Sequence, residues 1–280
     1  MKEKIIKAIK YSWGIKKQYD GCHIAAYSAE AAFFVVLSAV PLVMLGIILL
    51  GAFAPLDIIG IRAMMAQVFT ENVSGQLAEF VQEISSRSTV PLASLTMVFL
   101  LWAATKGIRS IADGINVIYD YKEEYNIIQL AIRSVWYAIV IISVVVLSFA
   151  LLVFASPLEN LLRSLLGQRA QLLLVLLNLR NIIFFAALTV LFATAYKGLA
   201  KSALSFKNQL VGAAMAAAGW IVYSFGYSVY IRCFSGYSAL YGSFGAVMLF
   251  LLWLYMCMNI LLCGALLNKI RVERKQHREM

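Results

Sequence analysis

Six long apolar stretches, separated by short charged segments, run from Ala25 to Leu267 of this 280-residue chain. A hydrocarbon core about 30 Å thick needs roughly 20 helical residues to cross it. The chain therefore reads as an all-α integral membrane protein. Six transmembrane helices are expected over residues 25–51, 91–118, 132–155, 172–196, 210–231 and 243–267. Charge content agrees, since 14% of residues are charged against about 25% in soluble domains. No connecting segment is long enough for a soluble domain. One membrane domain, residues 25–267, is expected between a basic amphipathic segment, 1–24, and a basic cytoplasmic tail, 268–280.

The net charge of +10 raises the question of nucleic acid, and the placement of the charges answers it. Basic residues beside spans are retained on the cytoplasmic face. With the N-terminus inside, 18 Lys and Arg fall on inner segments and 5 on outer ones, and Arg180 lies within the fourth span. This predicts a multi-pass protein of the cell (inner or plasma) membrane with both termini cytoplasmic. The expected partners are membrane lipids, with anionic headgroups at the basic termini. No nucleic acid is expected, and a homo-oligomer is left open. The N-terminus lacks the apolar core and cleavage site of a signal peptide, so the first span is expected to act as its own insertion signal.

Two segments outside the spans have interfacial patterns. Ile5, Ile9 and Trp13 recur every four residues among lysines, suiting a helix on the inner leaflet. Ile58, Ile61, Met65 and Val68, then Val73, Leu77, Phe80 and Ile84, follow helical spacing. They predict an amphipathic hairpin over the outer mouth, as a structural cap or a gate. Pro41, inside the first span, predicts a kink.

Candidate chemistry gathers on the first two spans. Lys106, Arg109, Asp113, Asn116 and Asp120 share one helix face, with Ala104, Ile108, Ile111, Ile115 and Ile118 opposite. The polar face is either solvated, with an Arg109–Asp113 pair, or the lining of a cytoplasmic vestibule. Glu30 sits roughly 7 Å into the first span by helical rise, where a carboxylate is costly unless paired, protonated or wet. Lys106 and Arg109, at the same level on the next span, are its expected ion-pair partners. Arg180 is either a buried anion-attracting charge or an outer flank.

Two further features lie towards the C-terminus. Gly212, Ala216, Gly219 and Gly226, with Tyr223, share one face of the fifth span, suiting close helix packing in lipid. Tyr223, Tyr227 and Tyr230 form an aromatic stripe, an interfacial belt or a cavity wall. Before the sixth span, Tyr237, Ser238, Tyr241, Gly242, Ser243 and Gly245 suggest a loop and a helix N-terminus able to attract an anion.

Tyr237-Ser238 through Tyr241-Gly242-Ser243-Phe244-Gly245-Ala246, with Leu252-Trp253-Leu254-Tyr255, resembles the signature of the YihY/BrkB family of bacterial inner-membrane proteins. Leu101-Trp102-Ala103-Ala104-Thr105-Lys106-Gly107-Ile108 through Gly114-Ile115-Asn116-Val117-Ile118-Tyr119 is similar to the family's second-span motif. Ala31-Ala32-Phe33-Phe34 through Leu37-Ser38-Ala39-Val40-Pro41 is similar to its first. The resemblance covers nearly the whole chain. It departs after Tyr196, where Lys197-Gly198 replaces an expected proline. It implies a multi-pass protein with both termini inside and little biochemistry.

Some members of that family have been labelled ribonuclease BN, and this sequence speaks against the activity. A metal-dependent nuclease needs clustered His and Asp ligands, whereas His23 and His277 are the only histidines. The four cysteines have no CxxC or zinc spacing. No cofactor, metal site or enzyme activity is expected. The two functions in view are a transporter or exporter of a small or amphipathic, anionic or lipid-like solute, and a non-transporting scaffold for envelope integrity or virulence-type resistance.

Overall fold

The computed structural model describes residues 13–53, 79, 82–83, 90–121, 132, 135–137, 180–199, 204–233 and 237–279. Regular structure among them is α-helical throughout. After a helical segment over residues 13–21, five helices follow: α1 (Ile24–Phe53), α2 (Val90–Ile118), α3 (Arg180–Gly198), α4 (Phe206–Cys233) and α5 (Tyr237–Glu279).

Four of these helices contain a stretch long and apolar enough to cross a membrane: Ile24–Leu45, Ala93–Ile118, Phe206–Ile231 and Val247–Gln276. A shorter apolar run, Phe184–Gly198, occupies α3. It is the described part of the fourth expected span. The third expected span lies outside the described residues except for 132 and 135–137, which are helical. The hairpin expected over 58–84 also lies outside them, save for helical residues 79, 82 and 83. So does the N-terminal amphipathic segment before Trp13. An all-α membrane protein with four long apolar helices is what the described residues establish.

Local chemistry sets the helix ends. The Tyr121 amide donates to the Asn116 carbonyl at 2.9 Å and the Asp120 amide to Val117 at 3.3 Å. These two bonds close α2 in a Schellman motif, with Asp120 in the left-handed position at φ 54°. His23, at φ 51°, turns the chain out of the first helical segment, and its carbonyl accepts the amides of Ala26 and Tyr27 that open α1. Helix α1 continues through Pro41.

The described residues fall into two compact units, one within 34–106 and one made of 1–33 with 107–280. In the first, Trp102 meets Phe34 edge-on, with ring centroids 5.7 Å apart, and Phe99 at 5.5 Å. In the second, α4 packs against both α3 and α5. Its core combines large side chains, among them Ile115, Leu262 and Tyr196, with small ones at the helix contacts: Ala112, Ala193, Ala213, Ala216, Ala217 and Ala265 are all buried. Large apolar residues point outward, Phe225 and Val222 being more than two-thirds exposed. Small residues at the buried helix contacts and large apolar ones on the outer surface suit helices that approach closely and are solvated by lipid.

Candidate functional site

Ser110 is the hub of a polar contact between α1 and α2. Its Oγ lies 2.8 Å from the Tyr27 carbonyl and 3.1 Å from Glu30 Oε2, so one hydroxyl proton serves two acceptors. The neighbouring Arg109 Nε lies 3.5 Å from Asp113 Oδ2, one helical turn along. Among the described residues the carboxylate of Glu30 therefore rests on Ser110, and Arg109 pairs within its own helix. Gly114 makes the approach feasible: a Cβ there would meet Tyr27 Cβ and a Leu262 methyl at 3.1 Å. The apolar face of α2, Ile108, Ile111, Ile115 and Ile118, is buried. Opposite it burial is uneven. The Arg109 and Asp113 side chains are 51% and 37% exposed, Lys106 is exposed, and Asn116 is buried.

A second polar cluster ties α2, α4 and α5 together. Tyr119 Oη donates to Gln209 Oε1 at 2.7 Å. Asn268 Nδ2 donates to the Gln209 carbonyl at 3.0 Å and to Gln209 Oε1 at 3.1 Å. The Gly212 amide donates to Asn268 Oδ1 at 2.7 Å. Gln209 and Asn268 are completely buried, and burial pushes the Tyr119 hydroxyl pKa up against the bonds from Asn268 and Gln209. Beside this cluster the buried Tyr196 donates to the Leu261 carbonyl at 2.7 Å. Lys269 pairs with Asp120, locking the end of α2 to α5. Gln209 and Asn268 carry no signal in the sequence, because each falls one residue outside an apolar stretch, where a polar side chain looks like a solvated flank.

The small residues of α4 differ among themselves. A Cβ on Gly212 would run into the Gly264 carbonyl. Ala216 lies against Gly264, and Gly219 faces Ile260. Gly226 has open space around it. The three tyrosines form a ladder, Tyr223 and Tyr227 at 6.0 Å and Tyr227 and Tyr230 at 6.4 Å. Tyr227 Oη donates to the Leu249 carbonyl at 2.5 Å, fastening the ladder to α5.

One expectation needs correction. Residues Tyr237 to Gly245 do not form a loop ahead of a helix; α5 begins at Tyr237. The amides of Ser243 and Gly245 therefore lie within the helix and offer no N-terminus at that point. Nothing from Tyr237 to Tyr241 breaks a helix, and Gly242 and Gly245 weaken one by only about 1 kcal/mol each. Gly245 is buried. The side chains of Tyr237, Ser238, Tyr241, Ser243 and Arg180 lie outside the described ones. Among the described residues no three of His, Cys, Asp and Glu converge as metal ligands.

A family model described as Virulence factor BrkB matches residues 15–280. The ribonuclease-like protein YfkH of Bacillus subtilis (strain 168) is 25% identical over 249 residues, which are 89% of this chain and 90% of that protein. A UPF0761 membrane protein of Paraburkholderia xenovorans (strain LB400) is 25% identical over 252 residues, 87% of this chain and 56% of that one. Another, of Kangiella koreensis, is 22% identical over 275 residues, 93% of this chain and 64% of that one. The chain thus spans most of the Bacillus relative and less than two thirds of the other two. No solved structure matches it.

Proposed function

The chain belongs to the virulence factor BrkB family and is a multi-pass membrane protein, and from that premise we propose that it moves a small or amphipathic, anionic or lipid-like solute across the cell membrane. In this reading six spans cross the bilayer with both termini in the cytoplasm. The 18-to-5 distribution of basic residues and the apolar stretches over 132–155 and 172–196 support that arrangement.

The observation that carries the transport reading is the cluster of Glu30, Arg109 and Asp113 around Ser110, on two apolar helices. A charge within a span is costly, less so near its ends than at its centre, and such charges are kept where they face water, a partner or a pathway. Arg109 and Asp113 are paired but half-open, so the pair retains a side from which a solute's charge can approach. The proposal includes no enzymatic step; "ribonuclease-like" is said of the Bacillus relative.

The test is reconstitution with a fluorescently tagged phosphatidylglycerol whose outer-leaflet population is bleached by dithionite. Wild-type protein should expose inner-leaflet lipid at least tenfold faster than protein-free vesicles, roughly a 1.4 kcal/mol lower barrier. Glu30→Gln and Arg109→Ala should remove most of that gain. Rates equal to protein-free vesicles, or unaltered in both variants, would remove the support for transport. The scaffold reading draws on the Tyr119–Gln209–Asn268 cluster, which knits three helices with buried polar bonds. A scaffold predicts no lipid movement, and an envelope phenotype lost in Asn268→Leu but intact in Arg109→Ala.

A further inference from the structure

A groove of about 810 Å³ runs between the start of α4 and the C-terminal part of α5, within the size range of small-molecule sites. Its chemistry changes along its length. On α4, Lys207, Val211 and Met215 line it at successive helical turns, so the charge lies at one end and apolar surface follows for roughly 12 Å. On α5, Leu267 and Ile270 line it before Arg271, Arg274 and Lys275. The two helices run in opposite directions, one entering the fold at this end and the other leaving it, so both put their basic residues at the same end of the groove. Lys207 and Arg271 are exposed, as are Val211 and Met215. No acidic residue is among the described lining residues.

We infer that this groove binds an anionic phospholipid, its phosphate among Lys207, Arg271, Arg274 and Lys275 and the upper part of an acyl chain along Val211, Met215 and Leu267. Charge complementarity selects the sign of the ligand, since a zwitterionic headgroup would bring a cation beside the exposed Lys207 and Arg271. The apolar stripe selects a lipid over a soluble anion, which would leave Val211 and Met215 uncovered. Basic pockets between spans are suited to anionic headgroups, whose surface potential already draws them to such sites. Basic residues that only orient a span need no groove beside them, whereas these line one whose polarity follows that of a lipid. The site is separate from the Glu30–Arg109 cluster, and the inference holds whether or not any solute crosses the membrane.

The test is native mass spectrometry of the full chain in detergent, titrated with dioleoyl phosphatidylglycerol or dioleoyl phosphatidylcholine. Phosphatidylglycerol adducts should form at about tenfold lower lipid concentration, and Lys207→Gln/Arg271→Gln should erase that preference. Arg271→Gln alone should reduce it by about threefold, giving a reading even if the double variant folds poorly. Lys16→Gln/Lys17→Gln, which removes two exposed charges from the N-terminal segment, should leave it intact. Equal binding of the two lipids would overturn the inference, as would equal loss in the Lys16/Lys17 variant, which would indicate diffuse attraction. Displacement of the lipid by millimolar inorganic phosphate would also overturn it, marking a site for free anions.

Discussion

The carboxamide of Asn268 on α5 grips Gln209 on α4 at two points, donating to its backbone carbonyl at 3.0 Å and its side-chain oxygen at 3.1 Å. Its own oxygen takes the Gly212 amide at 2.7 Å, so one buried side chain makes three bonds to one neighbouring helix. Truncation leaves buried polar groups without this partner, at about 1–3 kcal/mol for each one stranded. Asn268→Leu should cost about 2–3 kcal/mol and lower the apparent melting temperature in detergent by roughly 4–10 °C. Gln209→Leu should cost a similar amount. Because the residues act as a pair, the double variant should cost clearly less than the two singles combined. Additive losses would show that they do not cooperate.

The glycines of α4 give a sharper contrast. Gly212→Ala drives a methyl into the Gly264 carbonyl, part of the rigid backbone of α5, and should destabilise by about 1–3 kcal/mol. Gly226→Ala meets nothing within 4 Å and should stabilise by up to about 1 kcal/mol through helix propensity alone. Thermal scans of both in one detergent check the pair. Equal effects would mean that small size at Gly212 is not what the packing requires.

Legibility from sequence followed the strength of the local signal. The apolar runs mark α1, α2, α4 and α5, and the 3-and-4 spacing on α2 separates the face of Ile108, Ile111, Ile115 and Ile118, which is buried. Boundaries were less legible, since apolarity ends before the helix does. Helix α5 runs on to Glu279 through Arg271 and Arg274, which are exposed at no cost to its backbone, and through Lys269, which is paired with Asp120. Gln209 and Asn268 were lost at that margin. Which acceptor Glu30 takes was not legible either. Ser110 is a short neutral residue on a two-faced helix, and its role exists only once Gly114 lets α1 come close.

The Tyr119 hydroxyl, its pKa raised chiefly by burial, predicts an alkaline limit to stability. A tyrosine whose folded pKa lies above its unfolded value of about 10 contributes stability that is fully present below pH 10 and lost as the pH climbs towards the folded value. Apparent melting temperature should therefore fall above about pH 10. Tyr119→Phe should start lower, having lost the bond to Gln209, and fall less steeply. Lysines also titrate in that range, so the difference between the two slopes is the measurement. Parallel slopes would remove Tyr119 as a cause.

The chain's own cysteines test the orientation on which the transport reading depends. Cys233, exposed at the end of α4, should react with a membrane-impermeant maleimide on intact spheroplasts. Cys22 lies beside His23 at the start of α1, near Lys269 and Asp120, and should react only after permeabilisation. Its thiol pKa is pushed up by burial, with Lys269 acting in the opposite direction, so less of it is thiolate at a given pH. Labelling at Cys22 should accordingly be slower than at Cys233 even in permeabilised cells, and should quicken between pH 7 and 9. Single-cysteine variants, with the buried Cys257 and the part-buried Cys263 replaced by serine, keep the signals separate. Labelling of Cys22 from outside, with Cys233 protected, would invert the topology and place the basic ends of α4 and α5 on the outer face.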